Sequence, residues 1–322
     1  MQPIDRNSKN ITFPGQLGTL LGLFGAGIVV GSFISVGIWM AMTGRPVLNM
    51  ESDISNPKYY NAIMWIQAVS TFFMFYLPVY FTAMICYRNP SKFMGFNMKV
   101  NWKQLLIVLA MVVLTFPLSA ALAELNKIIP ISKSWQAYFT AKEAERAVQE
   151  AALIKISSFS RYLLSMFIIA LLPAIFEEAC FRGGIQNILI RWFKGPWAAI
   201  IVTSIIFSAV HISYYGFLVR FALGVVLGLI FYYSGSLWLS IICHFLYNGI
   251  QVTAMYAATV SGSKNSPQVE DNFPMWAGAI ALALIIYAFI KFREISLAEQ
   301  QKYVFPELED PNDFHNWVTK ES

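Results

Sequence analysis

Residues 104–124 read QLLIVLAMVVLTFPLSAALAE, and Glu124, at their far end, is their only charge. A helix needs about 20 mostly apolar residues to cross the hydrocarbon core of a bilayer. A surface helix of that length in a soluble domain would carry a polar face, and this one has none. The pattern recurs outward from this run. Apolar stretches at 17–42, 60–86, 161–182, 237–258 and 274–290, with shorter ones at 197–211 and 218–233, bring the candidate spans to eight. Over the whole chain 57% of residues are apolar and 13% are charged, against about 25% charged in soluble domains. The alternating pattern of a transmembrane barrel is missing. The expected fold is therefore all-α, a polytopic membrane helix bundle of about eight transmembrane helices.

The charges lie between the apolar runs, so the net +5 reflects membrane orientation and calls for no nucleic-acid partner. Arg88, Lys92, Lys99 and Lys103 form a basic segment without an acid. Placing it in the cytoplasm puts both termini inside, together with Arg191, Lys194, Lys291 and Arg293. Lys127, Lys133, Lys142, Arg146 and Lys155 then fall outside, partly balanced by Glu143, Glu145 and Glu150. The first apolar run is too long for the core of a cleavable signal peptide. Cys86, Cys180 and Cys243 all sit in or beside apolar runs, and an odd, buried set is no disulfide framework. Gly18 and Gly22, Gly27 and Gly31, and Gly224 and Gly228 are spaced i,i+4, a spacing that lets helix backbones pack closely. Residues 141–152, AKEAERAVQEAA, form a strong helix-former, expected as a surface connector beside the membrane. Residues 1–16 make a cytoplasmic N-terminal segment, 17–158 accessory spans and loops, 259–293 a last loop and span. The polar tail 294–322, with Glu307, Glu309, Asp310, Asp313 and His315, is expected to be partly disordered.

Ionisable groups inside spans are costly and therefore mark function. Three clusters stand out in 159–258, and almost no other ionisable group lies inside the apolar runs. The first is Glu177, Glu178 and Arg182, in FEEACFRGG; the second is Phe207 and His211; the third is His244 and Asn248. Glu178 and Arg182 are i,i+4 in the acid-first order that suits a helical ion pair. Glu177 points about 100° away around the helix and stays available. His244 and Asn248 share a helical face. Gly195-Pro196 marks a turn, with Glu177 18 residues before Gly195 and His211 16 after it, so both lie roughly 24–27 Å from it. His244, nine residues past Gly235, fits this level less well. Such a set suits water activation, with Glu177 as base, His211 positioning the water, and His244 and Asn248 donating to a developing oxyanion. The same residues could instead ligate zinc through Glu177, His211 and His244, since two histidines and a carboxylate form a catalytic zinc arrangement. The carboxamide beside His244 favours the metal-free form. H-E-x-x-H, G-x-S-G and G-x-G-D are all missing.

The ordered set E-E-x-x-x-R, F-x-x-x-H, H-x-x-x-N resembles the CPBP family, which includes type II CAAX prenyl endopeptidases and bacteriocin-processing, Abi-like relatives. The resemblance covers roughly 160–255 and makes 159–258 the CPBP-like core. It implies an eight-helix peptidase, with Glu177 and His211 as catalytic residues and His244 and Asn248 at the oxyanion. Glu178, Arg182 and Phe207 then support them. The expected protein is a multi-pass intramembrane endopeptidase acting on a membrane-embedded or lipidated peptide, with no preferred cofactor and zinc as the possible one. The alternative is a non-catalytic relative: an immunity factor, a scaffold or a proton-linked carrier. A carrier would carry inverted repeats, and none is visible.

Overall fold

The computed structural model describes residues 7–53, 56–97, 99–154, 158–262, 269 and 273–303. Nine helices carry the architecture of the described residues. They are α1 (Phe13–Thr43), α2 (Tyr60–Cys86), α3 (Trp102–Ile128), α4 (Lys133–Ile154), α5 (Phe159–Phe193), α6 (Pro196–Ala209), α7 (Phe217–Ser234), α8 (Leu237–Val260) and α9 (Met275–Tyr303). Seven of them, all but α4 and α6, are long and apolar enough to cross a membrane. The protein is a polytopic all-α bundle. α9 runs ten residues into the expected 294–322 tail, to Tyr303; the tail's acidic residues from Glu307 on, and His315, lie outside the described residues.

Local sequence sets the helix ends. Thr12 accepts from the Gly15 N–H to cap α1, and Asn101 and Gln104 form a reciprocal capping box at the start of α3. Lys194 (φ 56°) ends α5 and Gly235 (φ 66°) ends α7, both in the left-handed conformation. The proline of the expected Gly195-Pro196 turn opens α6. The 141–152 run lies within α4, a helix beginning eight residues earlier. Three stretches of wide i→i+5 turns interrupt the long helices: Phe72–Tyr76 in α2, and Met166–Leu171 and Ala179–Gln186 in α5. The last begins directly after Glu178, and such turns recur at functional sites.

With 14 residues, α6 is roughly 21 Å long, short for a core of about 30 Å. Its place in the bundle nonetheless makes it a return leg. Arg182 Nη2 donates to the Gly224 carbonyl at 3.1 Å and Gln186 Nε2 to the Gly228 carbonyl at 2.9 Å. Both partners advance by four residues together, so α5 and α7 run parallel, and α6 carries the chain back between them. Close backbone approach explains the glycines. A Cβ on Gly224 would stand 2.9 Å from Ser204 Cβ, and one on Gly228 2.7 Å from Gln186 Oε1. Gly27 and Gly31 pack likewise, against the Phe73 carbonyl and Cβ. Gly18 and Gly22 differ: a Cβ at either would meet nothing within 4 Å among the described residues. An i,i+4 spacing identifies a smooth helix face but not whether a partner covers it.

Both described ends of the chain lie at one end of the bundle. The Arg88 N–H donates to the Asn7 carbonyl (2.8 Å), and Gln104 Nε2 in the first turn of α3 donates to Ser296 Oγ (2.9 Å). The 87–101 segment with its basic residues sits at that end. There the Leu237 N–H donates to the Gly95 carbonyl (3.0 Å), and Asn187 donates to the Phe93 carbonyl.

Candidate active site

The site is built on α5, α6 and α8, with α7 behind it. Glu178 and Arg182 point into the bundle and are fully buried. Arg182 Nη1 donates to Glu178 Oε1 at 2.5 Å, the ion pair that the i,i+4 spacing predicts. His244 Nδ1 lies 2.8 Å from the same Oε1. A carboxylate oxygen only accepts, so this contact puts the proton on Nδ1, and His244 Nε2 is the nitrogen left to face a reactant. This contact, across 66 residues of sequence, is what no local spacing could reveal. Glu178 Oε2 and Arg182 Nε are buried without a hydrogen-bond partner among the described residues. The pair therefore carries a desolvation cost that its own contacts do not wholly offset.

Phe207 is the hub. It is 2% exposed and lies at the centre of four contacts. The Arg182 guanidinium stands 4.7 Å from its ring centroid. Phe181 meets it edge-on at 5.1 Å, His211 at 5.1 Å and His244 at 5.9 Å. One aromatic ring thus touches both histidines and the arginine, which brings all three sequence clusters together around it.

His211 is not on the helix that the apolar run 197–211 suggested. α6 ends at Ala209, and His211 lies in the following turn, where Ile212 takes a positive φ of 50°. The run offers no stop signal because Val210 and Ile212 are as apolar as the helix before them. His211 Nδ1 is 2.7 Å from the Phe207 carbonyl. A carbonyl accepts, so Nδ1 carries the proton and Nε2 the lone pair of the neutral ring. Glu177 and Asn248 are half-buried.

Two residues escaped the sequence reading. Arg220, in the first turn of α7, lies within Coulombic reach of Glu177, as do His244, Glu178 and Arg182. A lone arginine in the run 218–233 was the signal. Gln186, fully buried, joins α5 to the Gly228 carbonyl; its spacing of four from Arg182 was the signal.

For a metal, the donor set fits poorly. Among the described residues no three of His, Cys, Asp and Glu stand together as ligands of one ion, and Glu178 Oε1 already accepts from Arg182 and His244. Cys180 and Cys243 are buried thiols beside the clusters.

No curated protein and no solved structure gives a match to this chain. One family model does, and it falls on the segment that holds all three clusters. Residues 159–250 match the family described as Rce1-like, type II CAAX prenyl endopeptidase Rce1-like, and all three clusters lie within that segment.

Proposed function

We propose that the protein is an intramembrane endopeptidase that cleaves a membrane-associated or lipidated peptide with a water activated by Glu177 and His211. The observation that carries this reading is the convergence on Phe207, against whose ring lie His211, from the turn after α6, and His244, from α8, beside the Glu178–Arg182 pair. Among the acidic groups of α5, Glu178 is engaged and Glu177 makes no hydrogen bond to a described residue. Glu177 is the carboxylate left to take a proton.

The step follows. Glu177 removes a proton from a water held by the His211 Nε2 lone pair, and the water oxygen bonds to the carbonyl carbon of the scissile peptide. The carbonyl electrons move onto oxygen, where Asn248 donates a hydrogen bond. His244 joins it as the imidazolium, since its Nδ1–H is given to Glu178 and only the charged ring has a second N–H at Nε2. Collapse of the intermediate breaks the C–N bond, and the proton on Glu177 passes to the leaving amine. No step is routed through a metal. The likeness to type II CAAX prenyl endopeptidases points to a prenylated C-terminal peptide as substrate, and the basic 88–103 segment points to cytoplasmic termini.

The test is release of a C-terminal fragment from a prenylated peptide by the purified chain in lipid nanodiscs. Glu177→Gln should lower the rate at least about a hundredfold without changing the melting temperature. Undiminished cleavage by that variant would refute the assignment of the base. Binding of the peptide without cleavage by the parent chain would favour the non-catalytic alternative.

A further inference from the structure

The turn that carries His211 is fastened by residues outside all three clusters. Ile212 is a β-branched residue at φ 50°, a conformation that is strained for any side chain branched at Cβ and persists only where the surroundings over-determine it. The fastening comes first from Asn126, in the last turn of α3, a polar residue only 1% exposed. Its Nδ2 donates to the Tyr214 carbonyl at 2.8 Å, and its Oδ1 accepts from the Leu218 N–H at 3.0 Å. The second bond satisfies one of the N–H groups that the start of α7 leaves without a helical partner. Tyr214 Oη donates to the Ile129 carbonyl (3.0 Å).

The connector α4 adds a second hold. Glu143 Oε1 accepts from Ser213 Oγ at 2.5 Å, and Ser213 Oγ accepts in turn from the Gly216 N–H at 3.3 Å. Phe139 stacks on Tyr214, with centroids 5.1 Å apart and planes 20° apart. Over 133–145 this connector is exposed except at Phe139 and Glu143, both of which touch the turn. It grips the Ser213 side chain, two residues beyond His211.

We propose that Asn126 and Ser213 are positioning residues: they fix the 212–218 backbone so that His211, pinned through Nδ1 to the Phe207 carbonyl, aims its Nε2 at the attacking water. This rests on the proposed peptidase reading for its kinetic consequence, though not for its structural one. The ring of His211 is tethered at one nitrogen to α6, and its backbone belongs to the turn. A shift of the turn therefore rotates Nε2 about that tether, and a displacement near 1 Å can cost about a hundredfold in rate.

The experiment uses the full chain in nanodiscs with isotope-labelled histidine, its imidazole resonances assigned with His211→Gln and His244→Gln. Asn126→Leu removes both bonds at nearly equal volume. Ser213→Ala is a milder second variant that breaks the Glu143 and Gly216 contacts. Each is expected to shift the His211 imidazole resonances and leave those of His244 in place, with kcat down roughly ten- to a hundredfold and KM within about twofold. Unmoved His211 resonances in both variants would overturn the proposal. So would a joint shift of both histidines with a lower melting temperature, which marks a general packing role. If the parent chain cleaves no peptide, the peptidase reading fails alone, and the resonances still decide the positioning role.

Discussion

Replacing Arg182 by methionine is the sharpest energetic test of the site. Methionine keeps the apolar stem and removes the guanidinium. Three contacts go with it: the 2.5 Å bond to Glu178, the 3.1 Å bond to the Gly224 carbonyl and the stacking over Phe207. The bond to the Gly224 carbonyl is a small part, since interhelical bonds in membrane proteins average about 0.6 kcal/mol. The larger part is the Glu178 carboxylate left in a fully buried position, for which breaking a buried pair costs about 3–5 kcal/mol. His244 still donates to Glu178 and offsets some of this, so the expected loss is about 3 kcal/mol. Neutralising the carboxylate should reverse most of it. In the double variant Glu178→Gln/Arg182→Met the amide oxygen still accepts from His244 Nδ1 and no bare carboxylate remains, so stability should return to within about 1 kcal/mol of the parent. The double variant should therefore be about 2 kcal/mol more stable than Arg182→Met alone, read from unfolding by sodium dodecyl sulfate in mixed micelles. A single variant as stable as the parent, or a double variant no better than the single, would refute the view of Arg182 as the partner that makes Glu178 tolerable. Full stability with lost cleavage would make Arg182 a substrate contact instead.

Gly224→Ala should lower stability by roughly 1–3 kcal/mol, because its Cβ would stand 2.9 Å from Ser204 Cβ and push α7 away from α6; a variant as stable as the parent in the same micelle assay would show that the helices have slack. Incubation with a strong chelator, followed by its removal, should leave cleavage unchanged; loss restored by zinc would defeat the metal-free mechanism. Reporter fusions after Ser322 and before Met1 should both read as cytoplasmic, and an external reading at either would overturn the orientation drawn from Arg88, Lys92, Lys99 and Lys103.

Hydropathy made the spans legible because burial in lipid demands long uninterrupted apolar runs: α1, α2, α3, α5, α7 and α8 each contain the run that predicted them, and α9 contains all of its run but Pro274. The Glu178–Arg182 pair was legible because both residues sit one helical turn apart. Three things were not. The Glu178–His244 bond joins distant spans, and no local spacing encodes it. The end of α6 before His211 depends on a left-handed Ile212 held by contacts from Asn126 and Glu143, while the residue type itself argues for continuing the helix. Arg220 was hidden by its position at the start of an apolar run, where a charge reads as flanking solvent; the fold turns that end toward Glu177 instead. Gly18 and Gly22 show the converse, a sequence pattern with no packed partner among the described residues.

The two carbonyl contacts from Arg182 and Gln186 act together as a ruler. Donors four apart on α5 meet acceptors four apart on α7, so the two helices can pair in one register only. A slip of one turn, about 5.4 Å, would bring Arg182 to Gly228 but press Gln186 against Tyr232, where no bare glycine backbone is offered. A slip by a single residue would aim both donors at side chains. During insertion of the chain α5 enters first and must wait for α6 and α7, and the arginine in it has no carbonyl to bind until Gly224 arrives. A bundle in which both bonds are made therefore has α5 and α7 aligned in this register.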